Sequence, residues 1–146
     1  MLADARACDP FEACGLIAGR ASGLPRGASG LPRGGSEAVQ VISVTNVLHS
    51  RVRFRMDPVQ QLKAFNQIEE QGLELLAIYH SHPDGPATPS ATDVSEAAYP
   101  GVVHLIWSKS GERLTEPVAE QWNCRGFLIA GGRVSEVAIR ILSDTG

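Results

Sequence analysis

Two histidines, His80 and His82, stand two positions apart at the end of the apolar run from Leu75 to Tyr79. A short apolar run of this kind is typical of a buried strand. Because side chains alternate along a strand, both imidazoles point to the same side and could share one ion. Asp93 follows after a proline-rich loop and could supply a third ligand.

Two imidazoles and one carboxylate suit Zn²⁺, which binds such ligands at about 2.0–2.2 Å. Three protein ligands leave a fourth tetrahedral position for water, as in catalytic zinc sites. Such water can ionise near pH ~7 if a carboxylate takes its proton. Glu12 is the best candidate for this base, because it directly precedes an apolar strand, where burying a glutamate without a role is costly. Ligand type alone does not separate zinc from iron or manganese.

Each of these residues also has a structural interpretation. The spacing of Ser90 and Asp93 fits a capping box at the start of a helix. Glu12 could be an ordinary acid of a loop or first helical turn. His104 lies inside an apolar run and is predicted to be a core residue, whereas His49 is predicted to lie on the surface. The prediction of a chemical site therefore depends on the co-occurrence of its members.

Helices are predicted in three places. The first covers residues 2–8, before Asp9. The second begins with Asp57 as N-cap and Pro58 as first residue and stops at Gly72. Its predicted buried face consists of Val59, Leu62, Phe65 and Ile68. The third covers residues 90–98.

Strands are predicted over residues 13–19, 39–48, 75–79 and 102–107, with a closing hairpin between residues 127 and 142. Strict alternation from Arg51 to Met56 predicts one more strand, exposed over a core; alternatively, its arginines face an acidic or carboxylate-bearing partner. Mixed strands and helices favour an α/β or α+β sandwich around a mixed sheet.

The length of 146 residues predicts a single domain over 1–146. Seven residues from Ala21 to Gly27 are repeated from Ala28 to Gly34. Two such copies are too few for a solenoid. The glycine- and proline-rich segment over 21–35 is therefore predicted to be a mobile surface loop.

Composition excludes several classes of partner. A net charge of −3 and a pI near 5.8 predict no nucleic-acid partner. No apolar stretch approaches the roughly 20 residues of a membrane span, and the first residues lack the layout of a signal peptide. Three cysteines without CxxC spacing predict free thiols and a cytoplasmic protein.

With these residues in place, the chain resembles the JAMM (MPN+) metallopeptidases. Their signature is an upstream glutamate, then His-x-His, ten residues and Asp, which Glu12, His80, His82 and Asp93 match. The segment Pro10-Phe-Glu-Ala-Cys-Gly-Leu-Ile-Ala-Gly19 is also similar to the Pro-x-Glu-x-Cys-Gly-Leu segment of the family. The match runs from about residue 9 to 107.

The resemblance implies that His80, His82 and Asp93 bind zinc. It implies that Glu12 is the general base and then the proton donor to the leaving amine. Ser90 would hydrogen-bond the oxyanion, a contact typically worth several kcal/mol. The implied fold is a twisted mixed β-sheet flanked by helices, cytidine-deaminase-like in outline.

The resemblance also implies a substrate class. Members of the family cleave amide or isopeptide bonds after the Gly-Gly tail of ubiquitin or ubiquitin-like proteins, and small stand-alone bacterial forms act on sulfur-carrier proteins. A ubiquitin-like or sulfur-carrier protein with a Gly-Gly tail is therefore the predicted partner. The alternatives are a DNA-repair-associated relative or a non-catalytic scaffold of the same fold. A zinc deaminase would need a Pro-Cys-x-x-Cys pair, which the sequence lacks.

Overall fold

The structure is a computed structural model that describes residues 1–21, 35–110 and 122–140. The elements of these residues are α1 (Leu2–Cys8), β1 (Cys14–Ala21), β2 (Ser36–Val44), α2 (Pro58–Glu70), β3 (Glu74–Pro86), α3 (Ala91–Glu96), β4 (Val103–Ser110), β5 (Asn123–Ala130) and β6 (Arg133–Val137). The predicted loop over the tandem heptad lies outside the described residues, except that Ala21 ends β1 and Gly35 precedes β2. None of the described helices is long and apolar enough to cross a membrane.

The six strands form one sheet in the order β2-β1-β3-β4-β5-β6. β3 and β4 are parallel and are joined through α3, whereas the other neighbouring strands are antiparallel. A parallel pair needs such a crossover, because a tight turn cannot join parallel strands. The predicted mixed β-sheet with helices is therefore confirmed.

Helices cover both faces of the sheet. On one face, Leu16 and Ile78 are buried with Ala64 and Ile68 of α2. On the same face, Val94 of α3 packs against a second buried group, which consists of Ile106, Phe127 and Ile129. The opposite face buries Ile17, Ala77, Tyr79 and Leu105, with Met1 packed against them. The face under α2 and α3 carries the candidate functional residues.

Gly15 allows β1 to pack tightly in the middle of the sheet. A Cβ at this position would overlap the Ile42 carbonyl oxygen and the ring of Tyr79. With no side chain there, the Tyr79 ring fits beside β1, and its hydroxyl donates to Asp4 Oδ2 at 2.8 Å. The glycine thus allows the contact that ties α1 to the sheet.

The prediction of a strand from Arg51 to Met56 is wrong. In this segment only Met56 forms an isolated bridge, with Asn46, and the side chain of Val52 is 71 % exposed. The physical reason is that the side chain of Asn46, rather than a neighbouring strand, bonds the backbone of Arg53 and Arg55. β2 is also shifted, since it covers Ser36–Val44 rather than residues 39–48.

Helix α2 begins and ends close to the predicted places. Asp57 accepts from the backbone of Val59 and Gln60, and Gly72, with a φ of 67°, follows the last turn. The predicted buried face is only partly right. Ile68 is buried, but Val59 and Leu62 are 63 % and 61 % exposed. The helix packs through Ala64 and Ile68, one turn apart, and the predicted Phe65 is partly buried against the same cluster.

Candidate metal centre and active site

Strand β3 carries both predicted histidines into the buried interior. His80 is fully buried and His82 is 9 % exposed. Because the strand places them on one face, their Nε2 atoms lie 3.0 Å apart. The prediction that the two imidazoles share one side of a strand is confirmed.

Asp93 reaches the same point from the first turn of α3. Its Oδ2 atom lies 3.1 Å from His80 Nε2 and 3.0 Å from His82 Nε2. A tetrahedral Zn²⁺ with bonds of about 2.0–2.2 Å separates neighbouring ligand atoms by roughly 3.3–3.6 Å. The three atoms are therefore within about half an ångström of the spacing that one zinc ion needs.

The hydrogen bonds of His82 also fit a metal site. Its Nδ1 lies 2.8 Å from the carbonyl oxygen of Pro86, which can only accept, so Nδ1 must donate. The neutral ring then presents the lone pair of Nε2 to His80 and Asp93. A backbone carbonyl behind the ligand nitrogen is the usual way in which proteins orient a metal-binding histidine.

Ser90 and Asp93 form the capping box that their spacing predicts. Ser90 Oγ accepts from the Asp93 amide at 3.0 Å, and the Ser90 amide donates to Asp93 Oδ2 at 2.9 Å. The same carboxylate oxygen therefore caps the helix and faces both imidazoles. Within the described residues, the hydroxyl hydrogen of Ser90 has no acceptor, so it is available to an incoming group.

Glu12 lies in the short link between α1 and β1 and is 1 % exposed. Its Oε1 is 3.5 Å from His82 Nε2, and neither carboxylate oxygen accepts a hydrogen bond from a described residue. Burial raises the pKa of Glu12 to about 8, although His82 acts in the opposite direction. A carboxyl group that titrates near neutral pH is suited both to accept and to donate a proton.

The ligand set has one alternative on distance alone. Glu12, His80 and His82 each offer a ligand atom within 4.8 Å of the others. Asp93 lies closer, at 3.0 to 3.1 Å from both imidazoles, against 3.5 Å for Glu12 and His82. The distances therefore favour Asp93 as the third ligand and leave Glu12 beside the centre.

The charges around the centre favour a cation. Burial lowers the pKa of His80, which favours the neutral form of its ring. Burial acts in the same direction on His82, but its bonds to Asp93 and to the Pro86 carbonyl outweigh it and raise the pKa. Burial opposes ionisation of Asp93, yet the bonds from both histidines hold its pKa well below the usual range. The site thus places an ionised Asp93 carboxylate against His80, whose neutral form is favoured.

Sequence reasoning missed two residues beside the centre. The ring of Phe54 stacks on His80, with centroids 4.5 Å apart and an angle of 26° between the planes. The buried Asn46 bonds the backbone on both sides of Phe54. Asparagine after a strand is a signal for side-chain bonding to a turn, but it does not reveal the partners.

A cavity of about 260 Å³ borders the centre and is lined in part by His80, Asp93, Phe54 and His104. His104 is buried in β4, as predicted, and burial lowers its pKa. His49 lies on the surface, also as predicted. The cavity therefore lies directly beside the candidate ligands His80 and Asp93.

The family described as prokaryotic homologs of the JAB domain matches residues 1–125. The chain belongs to this family. Membership confirms the JAMM resemblance that His80, His82, Asp93 and Glu12 indicate.

Two curated relatives are peptidases by name. The chain is 43 % identical over 134 residues to the "Probable TtuB-protein conjugate cleaving protease" of Thermus thermophilus, covering 91 % of this chain and 70 % of the relative. It is 30 % identical over 144 residues to the "CysO-cysteine peptidase" of Mycobacterium tuberculosis, covering 99 % and 86 %. Both similarities extend over at least nine-tenths of this chain.

A solved structure supports the architecture of the JAB domain. The solution structure of protein DSY2949 from Desulfitobacterium hafniense superposes with a TM-score of 0.76 at 35 % identity, covering 99 % of this chain and 87 % of the other. The arrangement of helices and sheet is therefore shared by a protein of similar length.

Proposed function

We propose that this JAB-domain protein is a zinc-dependent metallopeptidase that hydrolyses an amide or isopeptide bond after the Gly-Gly tail of a ubiquitin-like or sulfur-carrier protein. The observation that carries the proposal is the convergence of two imidazole nitrogens and one carboxylate oxygen, 3.0 to 3.1 Å apart, beside a buried glutamate. The names of the two relatives, which describe cleavage of a protein conjugate and of CysO-cysteine, support this class of reaction.

His80, His82 and Asp93 would hold the metal. Their donor set of two nitrogens and one oxygen suits zinc and leaves one coordination position open. When bound, zinc supplies Lewis-acid chemistry, which polarises a carbonyl oxygen and makes water nucleophilic near neutral pH. The Pro86 carbonyl keeps His82 in the tautomer that this role requires.

Glu12 would act as the general base and then as the general acid. Its carboxylate takes a proton from the attacking water and returns it to the nitrogen of the leaving amine. Two observations support this role: Oε1 lies 3.5 Å from His82 Nε2, and burial raises the pKa of Glu12 to about 8. A carboxyl group with a pKa near cellular pH can both accept and release a proton.

Ser90 would stabilise the carbonyl oxygen as it becomes negative. Its Oγ is occupied as an acceptor by the Asp93 amide, so its hydrogen remains free to donate. A donor fixed by a helix cap needs little reorganisation during the reaction, which is the condition for effective oxyanion stabilisation. Capping and catalysis are therefore compatible in one residue.

The cytoplasm is the proposed location. Cys8, Cys14 and Cys124 are free thiols in the structure, and free thiols persist in a reducing compartment.

The main alternative is a non-catalytic scaffold of the same fold. A scaffold has no use for a carboxylate that is 1 % exposed and unbonded among the described residues, because such burial destabilises the fold. Retention of this residue beside three converging ligand atoms favours an enzyme.

The variant Glu12→Gln tests the proposal on a carrier protein joined through Gly-Gly to a reporter amine. We expect turnover to fall by about 10²–10⁴, the usual contribution of a general base, while zinc stays at about one ion per chain. The matched control is Glu70→Gln, which changes an exposed glutamate at the end of α2 and leaves turnover unchanged. Equal loss in both variants, or a zinc-loaded parent that cleaves no such conjugate, contradicts the proposal.

A further inference from the structure

Asn46 follows Thr45, just after β2 ends at Val44, and is 8 % exposed. Its side chain uses its whole hydrogen-bonding capacity. Its Nδ2 donates to the carbonyl oxygens of Glu12, at 3.1 Å, and Arg53, at 3.0 Å. Its Oδ1 accepts from the amides of Leu48, at 3.1 Å, and Arg55, at 3.0 Å. An asparagine side chain has two donor hydrogens and two acceptor lone pairs, so none is left over. A buried amide that is fully bonded in this way forms a rigid junction.

Both backbone polar groups of Glu12 depend on this junction and the turn that follows it. The carbonyl accepts from Asn46, and the amide donates to the Ser50 carbonyl at 2.8 Å. The Glu12 carboxylate itself accepts no bond from a described residue. Since no donor holds the carboxylate directly, its distance from His82 follows from where the backbone lies.

The next residue is fixed from the opposite side. The Ala13 amide donates to Ser81 Oγ at 2.8 Å, and the Ser81 amide donates to the Ala13 carbonyl at 3.0 Å. Ser81 stands between the two histidines. The backbone at Glu12 is therefore held between β3, which carries the candidate ligands, and the segment that Asn46 organises.

The same amide also controls the packing on His80. Its bonds to Arg53 and Arg55 fix the backbone on both sides of Phe54, whose ring lies 4.5 Å from that of His80. One side chain thus links the candidate base to the aromatic ring that covers a candidate ligand.

We propose that Asn46 is a positioning residue for the reaction, which sets the Glu12 carboxylate at its working distance from the metal centre. The inference rests on the proposed function, because it assigns Asn46 a role through Glu12. The side chain of Asn46 forms its hydrogen bonds with the backbone of Glu12, Leu48, Arg53 and Arg55, not with the candidate ligands, and it needs no contact with substrate.

The variant Asn46→Asp tests this role with almost no change in shape. It replaces Nδ2 by an oxygen that faces the Glu12 and Arg53 carbonyls, so both donated bonds are lost while the accepted bonds remain. We expect kcat to fall about 100-fold, as for a misplacement of about 1 Å in a catalytic group, with KM and zinc content unchanged. Asn46→Ser, which is neutral, loses the same donated bonds and is expected to give the same division between kcat and KM.

Gln60→Ala is the matched control. Gln60 also uses its amide to hold the start of this segment, since Oε1 accepts from the Thr45 amide at 2.8 Å and Nε2 donates to Thr45 Oγ1 at 2.9 Å. It bonds neither Glu12 nor the backbone around Phe54. We expect its removal to leave kcat unchanged, which separates positioning of the base from general stability of the segment.

A second measurement is independent of turnover. In crystal structures of the parent and Asn46→Asp, we expect the separation of Glu12 Oε1 and His82 Nε2 to increase in the variant, with the spacing of His80 and Asp93 unchanged. An unmoved carboxylate, or a loss of kcat no larger than in Gln60→Ala, overturns the role of Asn46. A parent without turnover contradicts the proposed function instead, and the structural comparison still decides whether Asn46 sets the position of Glu12.

Discussion

The candidate site is enclosed by two walls of different construction. The ligand wall, residues 80–93, is one strand end and one helix start, and its outermost members, His80 and Asp93, are 13 positions apart. The base wall consists of Glu12 and residues 46–56, which Asn46 joins across 34 positions. The candidate ligands of the ligand wall stand on regular secondary structure, β3 and α3, whereas the base wall is held by side-chain bonds to an irregular backbone.

This difference separates two tasks of the site. Holding a metal needs three atoms at fixed spacing, which strand alternation and a helix cap supply locally. Placing a base needs a carboxylate kept out of water and away from other donors, because only then does its pKa rise toward neutrality. Metal binding and proton transfer are therefore expected to fail independently when one wall is altered.

The largest expected effect comes from breaking the ligand wall. Asp93→Ala removes an oxygen that faces both imidazoles at 3.0 to 3.1 Å, so zinc is expected to fall from about one ion per chain to near zero. Turnover is expected to fall to that of the metal-free protein, as measured beside elemental analysis. The control is Asp84→Ala, in the same segment but exposed. Full zinc content in Asp93→Ala would show that Glu12 replaces the missing ligand, and the two walls would not be separate.

Ser90 offers a test within the ligand wall. Removing its hydroxyl is expected to lower kcat by about 10²–10³, the usual effect of losing an oxyanion donor, while zinc is retained. Ser90→Ala also removes the helix cap, at about 1 kcal/mol of unfolding free energy, whereas glycine at an N-cap costs only a few tenths. Measured side by side, Ser90→Ala and Ser90→Gly should lose equal kcat but unequal stability. If kcat follows stability, Ser90 is only a cap.

The last prediction concerns stability rather than turnover. It tests, through the pH dependence of unfolding, whether the base wall raises the pKa of Glu12. In the metal-free protein, Glu12 keeps its proton up to about pH 8, whereas the unfolded chain releases it near 4.5. Its contribution to stability is therefore complete below pH 4.5 and is lost as pH rises through 8. Glutamine does not titrate, so the unfolding free energy of Glu12→Gln relative to the parent should rise by about 4 kcal/mol between pH 5 and 9.

That rise corresponds to roughly 8–16 °C in the melting temperature of a domain this size. Thermal unfolding in a chelator at both pH values measures it, with Glu70→Gln as the control that should follow the parent. A constant difference between Glu12→Gln and the parent would mean that Glu12 is ionised throughout and lacks the raised pKa that its proposed role requires.

The ligand wall and Glu12 could be predicted from the sequence, whereas the rest of the base wall, residues 46–56, could not. The positions of His80, His82 and Asp93 follow from period-two alternation and the Ser90 cap, which are local rules. Phe54 lies in an alternating segment that predicts a strand, but the side-chain bonds of Asn46 to Arg53 and Arg55 decide its backbone conformation. The alternation of polar and apolar residues over 51–56 does not reveal which side chain forms hydrogen bonds with the backbone of this segment.

The orientation of α2 shows the same limit. Its ends were predictable, because Asp57 and Gly72 are local signals. Its buried face was not, since Val59 and Leu62 are apolar yet more than half exposed. Which of several apolar stripes meets the sheet depends on packing against the sheet, and no local signal within the helix reveals it.

Gly15 has a consequence for how the gene can change. Every single-base substitution that replaces this glycine by another residue adds at least one carbon where the Ile42 carbonyl and the Tyr79 ring already lie. The neighbouring Cys14 and Leu16 have side chains that the core can exchange for others of similar volume. Neutral substitutions are thus expected to accumulate at other positions of β1 but not at Gly15. A library of random variants selected for folding should retain glycine there.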